Sequence, residues 1–159
     1  MNIKCIIILK EGIIMYEAID IAKYIINKCI EYNRPVSNLQ LQKILYYVQG
    51  EYIKFTGGEP LFNDRIEAWA YGPVVPSVYY VFNIFSSSDI DFIGDVEEVV
   101  GEIGSRVREI IDPVIKAKSS LSAWKLVENT HNEMPWKTSY EEGRNNTIEI
   151  DVMKKFFCN

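Results

Sequence analysis

The segment from Ser37 to Gly58 constrains the fold most, because its sequence signals both of its ends. Ser37 and Gln40 fit the capping box S-x-x-Q, in which the serine side chain and the glutamine side chain each satisfy the other's free backbone N–H. Val36 and Leu41 occupy the flanking staple positions. Gly57-Gly58 supplies the residue without a Cβ that a helix needs to end in the left-handed conformation. Between these signals Leu41, Ile44, Leu45, Val48, Tyr52 and Phe55 recur at helical spacing, with Lys43, Tyr47, Gln49 and Lys54 expected mostly on the opposite face. A helix this long needs other elements around its apolar stripe, so the rest of the chain is expected to wrap it.

The neighbouring segments supply those elements. Ile19, Ala22, Ile25, Ile26, Cys29 and Ile30 make one stripe of a helix over 16–32, and Asn33-Arg34-Pro35 ends it. After the glycines the period falls to two. Glu59 to Phe62, a turn at Asn63-Asp64 and an arm from Arg65 to Tyr71 read as a small hairpin, broken by Gly72-Pro73. Pro76 suits the first turn of a short helix reaching Phe85, and Ser86-Ser87-Ser88 is a loop. Asp95 and Glu98 form a second capping box, opening a helix that carries Val96, Val99, Val100, Ile103, Val107, Ile110 and Ile111 until Pro113 bends or ends it. Further helices are expected over about 122–130, with Leu121 and Leu126 as a staple, and over 150–157. The fold class is mainly α: a single compact helical domain with one small β-hairpin.

Catalytic groups are scarce. His131 is the one histidine of the 159 residues, and it sits where a helix ends, a position where histidine commonly meets the last carbonyls. Cys29 lies on an apolar stripe, which makes it a packing residue, and the three cysteines form no C-x-x-C pair. No G-x-S-x-G, EF-hand or phosphate-cradling motif occurs, and Asp89 and Asp91 are an isolated D-x-D in a polar loop. Seventeen basic against 22 acidic residues give a net charge of −5, the opposite of the usual nucleic-acid footprint. Arg106 and Arg108 are interleaved with Glu102 and Glu109 as on a solvated helix face. The expectation is a chain with no enzymatic activity, metal or cofactor, no membrane span, a cytoplasmic location and little use for nucleic acid.

Aromatic residues are abundant instead. Tyr46-Tyr47, Trp69, Tyr71, Tyr79-Tyr80 and Trp136 exceed the needs of a small core, and Tyr and Trp dominate protein interfaces because they bury much area with few rotamers to freeze. Tyr46 and Trp124 are expected in the core. A cluster exposed around the hairpin would mark an interaction surface.

Three segments together resemble one family. Leu39 to Gly50 (LQLQKILYYVQG) carries an L-x-x-QK-hydrophobic-hydrophobic-Y pattern. Glu67 to Phe82 (EAWAYGPVVPSVYYVF) carries A-W-x-Y-G-P-V followed by P-x-V-Y. Leu126 to Trp136 (LVENTHNEMPW) carries L-x-x-x-T-H-x-x-x-P-W. In this order they resemble the Panacea antitoxin domain, also called SocA-like and labelled phage-associated GepA-type. The resemblance spans nearly all of residues 16–157. It implies a non-enzymatic bacterial or phage antitoxin that binds a toxin encoded nearby; some members also present the toxin to a protease. The matching positions, carried as partner-binding candidates, are Gln42, Lys43, Tyr46, Trp69, Tyr71, Gly72, Pro73, Val74, Thr130, His131, Pro135 and Trp136. The hairpin, the Tyr71-Gly72-Pro73 turn and the Thr130–Trp136 loop are expected to pack together. An acidic chain suits a basic partner, since complementary charge speeds association.

Two rival readings have stated requirements. A DNA-binding repressor or phage-associated regulator needs a basic stripe on a helix face. An enzyme needs His131 in a pocket beside a carboxylate such as Glu133. Residues 1–14 match nothing in the family pattern. Lys10-Glu11-Gly12 back-translates to a purine-rich ribosome-binding sequence, two codons ahead of Met15. The expected organisation is therefore a translated leader or strand extension over 1–14 and the antitoxin-like domain over 15–159, a point that intact mass of the protein from its own locus decides.

Overall fold

A computed structural model describes residues 15–91 and 103–159. The leader over 1–14 and the Asp95/Glu98 capping box with Val96, Val99 and Val100 lie outside the described residues, as does Glu102. The order of elements is α1 (Ala18–Glu31), β1 (Val36–Ser37), α2 (Asn38–Thr56), β2 (Glu67–Trp69), β3 (Gly72–Val74), α3 (Pro76–Phe82) with a 3-10 turn (Asn83–Phe85), β4 (Asp89–Ile90), α4 (Ser105–Lys118), α5 (Ala123–His131), α6 (Met134–Ser139), β5 (Asn146–Thr147) and α7 (Ile150–Phe157). The protein is mainly α.

Helix α2 is the axis of the fold. Its capping box is present in full, and Gly57 ends it with φ +79°. Helices α1, α4, α5 and α7 all pack on it. Leu41 through Gly50 are buried without exception, so the polar face expected at Lys43, Tyr47 and Gln49 does not exist. Those side chains replace missing backbone partners instead. Gln49 accepts from Leu61 N at 2.8 Å and donates to Phe62 O at 2.7 Å, which ties an irregular segment to the helix. Burial of such groups is tolerated because each is hydrogen-bonded. Gly50 lets α7 approach: a Cβ there would overlap the Phe157 ring.

The hairpin lies one step later than the turn signals suggest. β2 pairs with β3 across Ala70-Tyr71, in register Glu67↔Val74 and Trp69↔Gly72. Gly72-Pro73 forms the second strand and does not break the first. Asn63-Asp64 is no hairpin turn. Asp64 accepts from Ala18 N at 2.8 Å and from the Ser77 hydroxyl at 2.7 Å, so it caps α1 and ties it to α3. β5 adds to β2 as Glu67↔Thr147 and Ala68↔Asn146, giving a three-stranded antiparallel sheet of order β3-β2-β5. A separate two-stranded ladder joins Val36 to Ile90. Helix α4 begins at Ser105 and continues through Pro113 to Lys118. Cys29 is fully buried, and burial pushes its thiol up to about 12, as befits a packing residue.

Candidate functional site

The three signature segments meet beneath the β2–β3 turn. Lys43 of α2 is wholly buried and its Nζ donates to Pro73 O at 3.0 Å. Gly72, with φ +98°, lies against it; a Cβ there would stand 2.7 Å from both Lys43 Cε and Thr130 Oγ1. That close approach, together with a backbone conformation L residues rarely adopt, accounts for glycine at this position. Gln42 accepts from Val75 N at 2.9 Å and donates to Asn38 Oδ1 at 2.9 Å, fixing the exit of β3. From the other side Trp136 Nε1 donates to Trp69 O at 2.9 Å. The Trp136 ring is sandwiched between His131 at 3.9 Å and Tyr140 at 4.5 Å, both nearly parallel to it.

A second junction lies on the same helix. Tyr46 and Tyr47 donate their hydroxyls to the two oxygens of Glu133, at 2.9 and 2.7 Å. Burial raises the Glu133 pKa, opposed by the two tyrosine hydrogen bonds and by Lys118. The Lys118 ammonium lies 3.7 Å from the Tyr47 ring centroid. This clasp fixes the loop between α5 and α6, and with it Pro135 and Trp136. Sequence reasoning missed Glu133 as a structural anchor, considering it only as a carboxylate partner for His131.

Of the sequence-derived candidates only Tyr71 is exposed. Trp69, His131 and Trp136 are half-buried, while Gln42, Lys43, Tyr46, Gly72, Pro73, Val74, Thr130 and Pro135 are buried. Most of these residues therefore hold a surface in place without forming it. The surface itself is aromatic. Tyr79 and Tyr80 pack edge to face at 5.5 Å, Trp69 packs against Tyr79 at 5.0 Å, and Tyr71 against Trp124 at 5.6 Å. Between Trp69, Tyr71, Val74 and Tyr79 opens a groove of about 490 Å³, floored by Asn38 and Gln42 and closed by Asn83 and Ser86; none of its lining residues is charged. Its floor amides are already engaged, Asn38 donating to Tyr79 O at 3.0 Å. Trp69 is held by its own indole N–H, donated to Glu67 at 2.8 Å.

Trp124, expected in the core, is 64 % exposed and joins this surface. It stands on the outer side of α5, whose inner side is Leu126, Val127 and Thr130. Tyr80 of α3 at 66 % and Ile84 of the following 3-10 turn at 86 % exposure extend the apolar surface of this segment. Val78 and Phe82 suffice to anchor that helix, so the signal was present in the sequence: Pro76–Phe85 is apolar around its circumference and only one side can be core.

The remaining chemistry is sparse. His131 lines neither this groove nor the cavities beside Tyr47 and beside Tyr24. Its Nε2 is buried without a partner, and the carboxylate nearest in sequence, Glu133, is held by the tyrosines. Burial and the nearby Lys43 lower the His131 pKa. Among the described residues no group of three or more His, Cys, Asp or Glu could hold a metal ion, and no helix is long and apolar enough to cross a membrane. Some basic side chains of the described surface are tied to carboxylates, as in Lys28–Glu31, Arg65–Glu67, Arg106–Glu109 and Lys125–Glu128.

Residues 41–137 match the family described as Antitoxin SocA-like, Panacea domain. The match takes in α2 from Leu41 onward, the hairpin, the groove apart from Asn38 and Leu39, and the α5–α6 junction. The chain is also similar to Antitoxin SocA of Caulobacter vibrioides (strain NA1000 / CB15N), at 31 % identity over 125 residues, covering 73 % of this chain. It spans 66 % of that relative's length, just under two thirds. No solved structure gives a significant match.

Proposed function

The chain belongs to the SocA-like Panacea domain family, and from that premise we propose that it is a cytoplasmic, non-enzymatic antitoxin that neutralises a toxin encoded beside it by direct binding. The observation that carries this reading is the uncharged groove walled by Trp69, Tyr71 and Tyr79 and bordered by the exposed Tyr80, Ile84 and Trp124. Its floor and walls are fixed by internal hydrogen bonds, so binding would freeze few side chains, which is how a preformed surface gains affinity. Neutralisation then means covering the toxin, and the protein itself needs no reactive group. The net charge of −5, with Lys28, Arg106 and Lys125 each paired to a carboxylate, favours a protein partner over a repressor's contact with DNA phosphates.

Co-expression with the product of the adjacent gene tests the reading. The wild-type chain restores growth. The double substitution Tyr80→Ala with Ile84→Ala, at two exposed positions four residues apart, weakens binding at least ~30-fold, the equivalent of about 2 kcal/mol for two residues at the centre of an interface. Rescue by the double variant equal to wild type, with both proteins produced and the variant folded, would remove this surface from the function. Failure of the wild-type chain to rescue would remove the antitoxin role.

A further inference from the structure

Lys43 and His131 are two bases that share one buried junction, and the surroundings of each are specific. Lys43 Nζ has one acceptor, the Pro73 carbonyl, although an ammonium carries three N–H donors. β3 brings Gly72 and Pro73, neither of which is charged. α5 brings Thr130, whose hydroxyl donates to Val127 O, and His131, whose Nε2 has no partner. The β2–β3 turn brings only the Ala70 backbone, which hydrogen-bonds His131. The carboxylates of the adjoining elements are committed elsewhere: Glu67 to Arg65 and Trp69, Glu133 to Tyr46 and Tyr47. Tyr46 and Tyr47 of α2 are titratable groups on the Glu133 side, both hydrogen-bonded to Glu133, with Lys118 of α4 over the Tyr47 ring. Among the described residues no carboxylate acts on Lys43; burial is the sole cause of its perturbation.

We propose that this junction is an acid-operated release for the hairpin: protonation of Lys43 and His131 together frees the β2–β3 turn from α5 and α6 and so reshapes the aromatic groove. Two protons are taken up from solvent and no covalent bond changes. With both bases neutral, Lys43 Nζ carries no charge to solvate and one of its two N–H groups meets the Pro73 carbonyl, against the close approach of Gly72. With both charged, two like charges act on each other in a site whose acceptors are backbone carbonyls and the Thr130 hydroxyl, with no free carboxylate among the described residues, and either charge is relieved by admitting water beneath the turn. The element that moves is the one carrying Trp69 and Tyr71. Burial holds Lys43 down at about 7, and burial with the Lys43 charge holds His131 below the usual histidine range, so the closed state belongs to neutral and alkaline solution. The inference concerns the shape of the surface and does not depend on what docks there.

The indole N–H of Trp136 reports the contact directly, because it donates to the Trp69 carbonyl between the two halves of the junction. In 15N-labelled full-length protein the Trp indole signals are followed from about pH 8.5 to about pH 5.5, the range over which such bases titrate. The expected result is displacement or loss of the Trp136 indole signal as the pH falls below neutrality, reversed on return. Lys43→Met abolishes that transition. His131→Phe retains a ring on Trp136 but removes one base, and the transition moves to lower pH with fewer protons taken up. A Trp136 signal constant over the range in wild type overturns the proposal. So does a transition that is unchanged in His131→Phe, a readout that remains available if Lys43→Met does not fold.

Discussion

Replacing Gly72 by alanine separates two costs that the structure places at one residue. A side chain at φ +98° costs about 1–2 kcal/mol in backbone strain. Its Cβ would also stand 2.7 Å from Cε of Lys43 and from Oγ1 of Thr130, both fully buried, and overpacking of that kind costs about 1–3 kcal/mol. Gly72→Ala is therefore expected to lose about 2–5 kcal/mol in total. Gly57→Ala is the control for the first cost: its φ is +79° and nothing lies within 4 Å of an added Cβ, so it should lose only about 1–2 kcal/mol. Gly50→Ala is the control for the second. The residue is helical, alanine gains about 1 kcal/mol of helix propensity there, and the Cβ meets the Phe157 ring. All three substitutions restrict the unfolded chain alike, so that contribution cancels in the comparison. Urea unfolding followed by tryptophan fluorescence, extrapolated linearly, gives the three values. Adding Thr130→Ala to Gly72→Ala should recover part of the loss. Equal losses for Gly72→Ala and Gly57→Ala would refute the claimed close approach of Lys43, Gly72 and Thr130.

Lys43→Met should change how stability depends on pH. Between about 7, where the folded lysine titrates, and its ordinary value of 10.5, the unfolded chain holds a proton that the folded chain lacks, so wild-type stability rises with pH by up to about 1.4 kcal/mol per unit. The variant should be flatter by that slope in urea unfolding at several pH values, whatever it loses at the Pro73 carbonyl; parallel profiles would place Lys43 in water. Ser37→Ala should cost about 1 kcal/mol in the same assay, since it removes the capping oxygen that accepts from Gln40 N. Iodoacetamide should modify Cys158 in the native protein and reach Cys29 only on unfolding, as site-resolved mass spectrometry would show, because Cys29 is buried with its thiol pushed up to about 12.

Local signals were legible and surrounded helices were not. Ser37, Gln40 and Gly57 act where the sequence places them because capping chemistry involves only the next turn of chain. The end helix Ile150–Phe157 follows for the same reason: one buried side, Met153 and Phe157, shows clearly in its periodicity. Helix α2 defeats that method because it is covered on all sides. Lys43, Tyr47 and Gln49 read as a solvent face, although what they meet is backbone and carboxylate from segments distant in sequence. Asn63-Asp64 has turn composition, yet Asp64 serves α1, 46 positions away. β5 is two polar residues that become a strand only because β2 has an edge to offer. For the candidate site, the three motifs converge on one junction of the fold but name mainly the supports of the aromatic surface beside it. Trp124 was missed because apolar residues lie on both sides of α5, and single-sequence patterning does not tell which side another element covers.

The all-round burial of α2 divides the molecule into parts that differ in their freedom to change. Residues of the axis are each tied to several distant segments, so a substitution there disturbs many contacts at once. Tyr71, Tyr80, Ile84 and Trp124 stand outside that network, on a turn and on the outer sides of short helices. Their identities can drift with little loss of stability while the groove's floor, walls and hydrogen bonds stay constant. Under the proposed function, such an arrangement lets a lineage exchange one partner for another by a few surface replacements, retaining a single inherited scaffold beneath them.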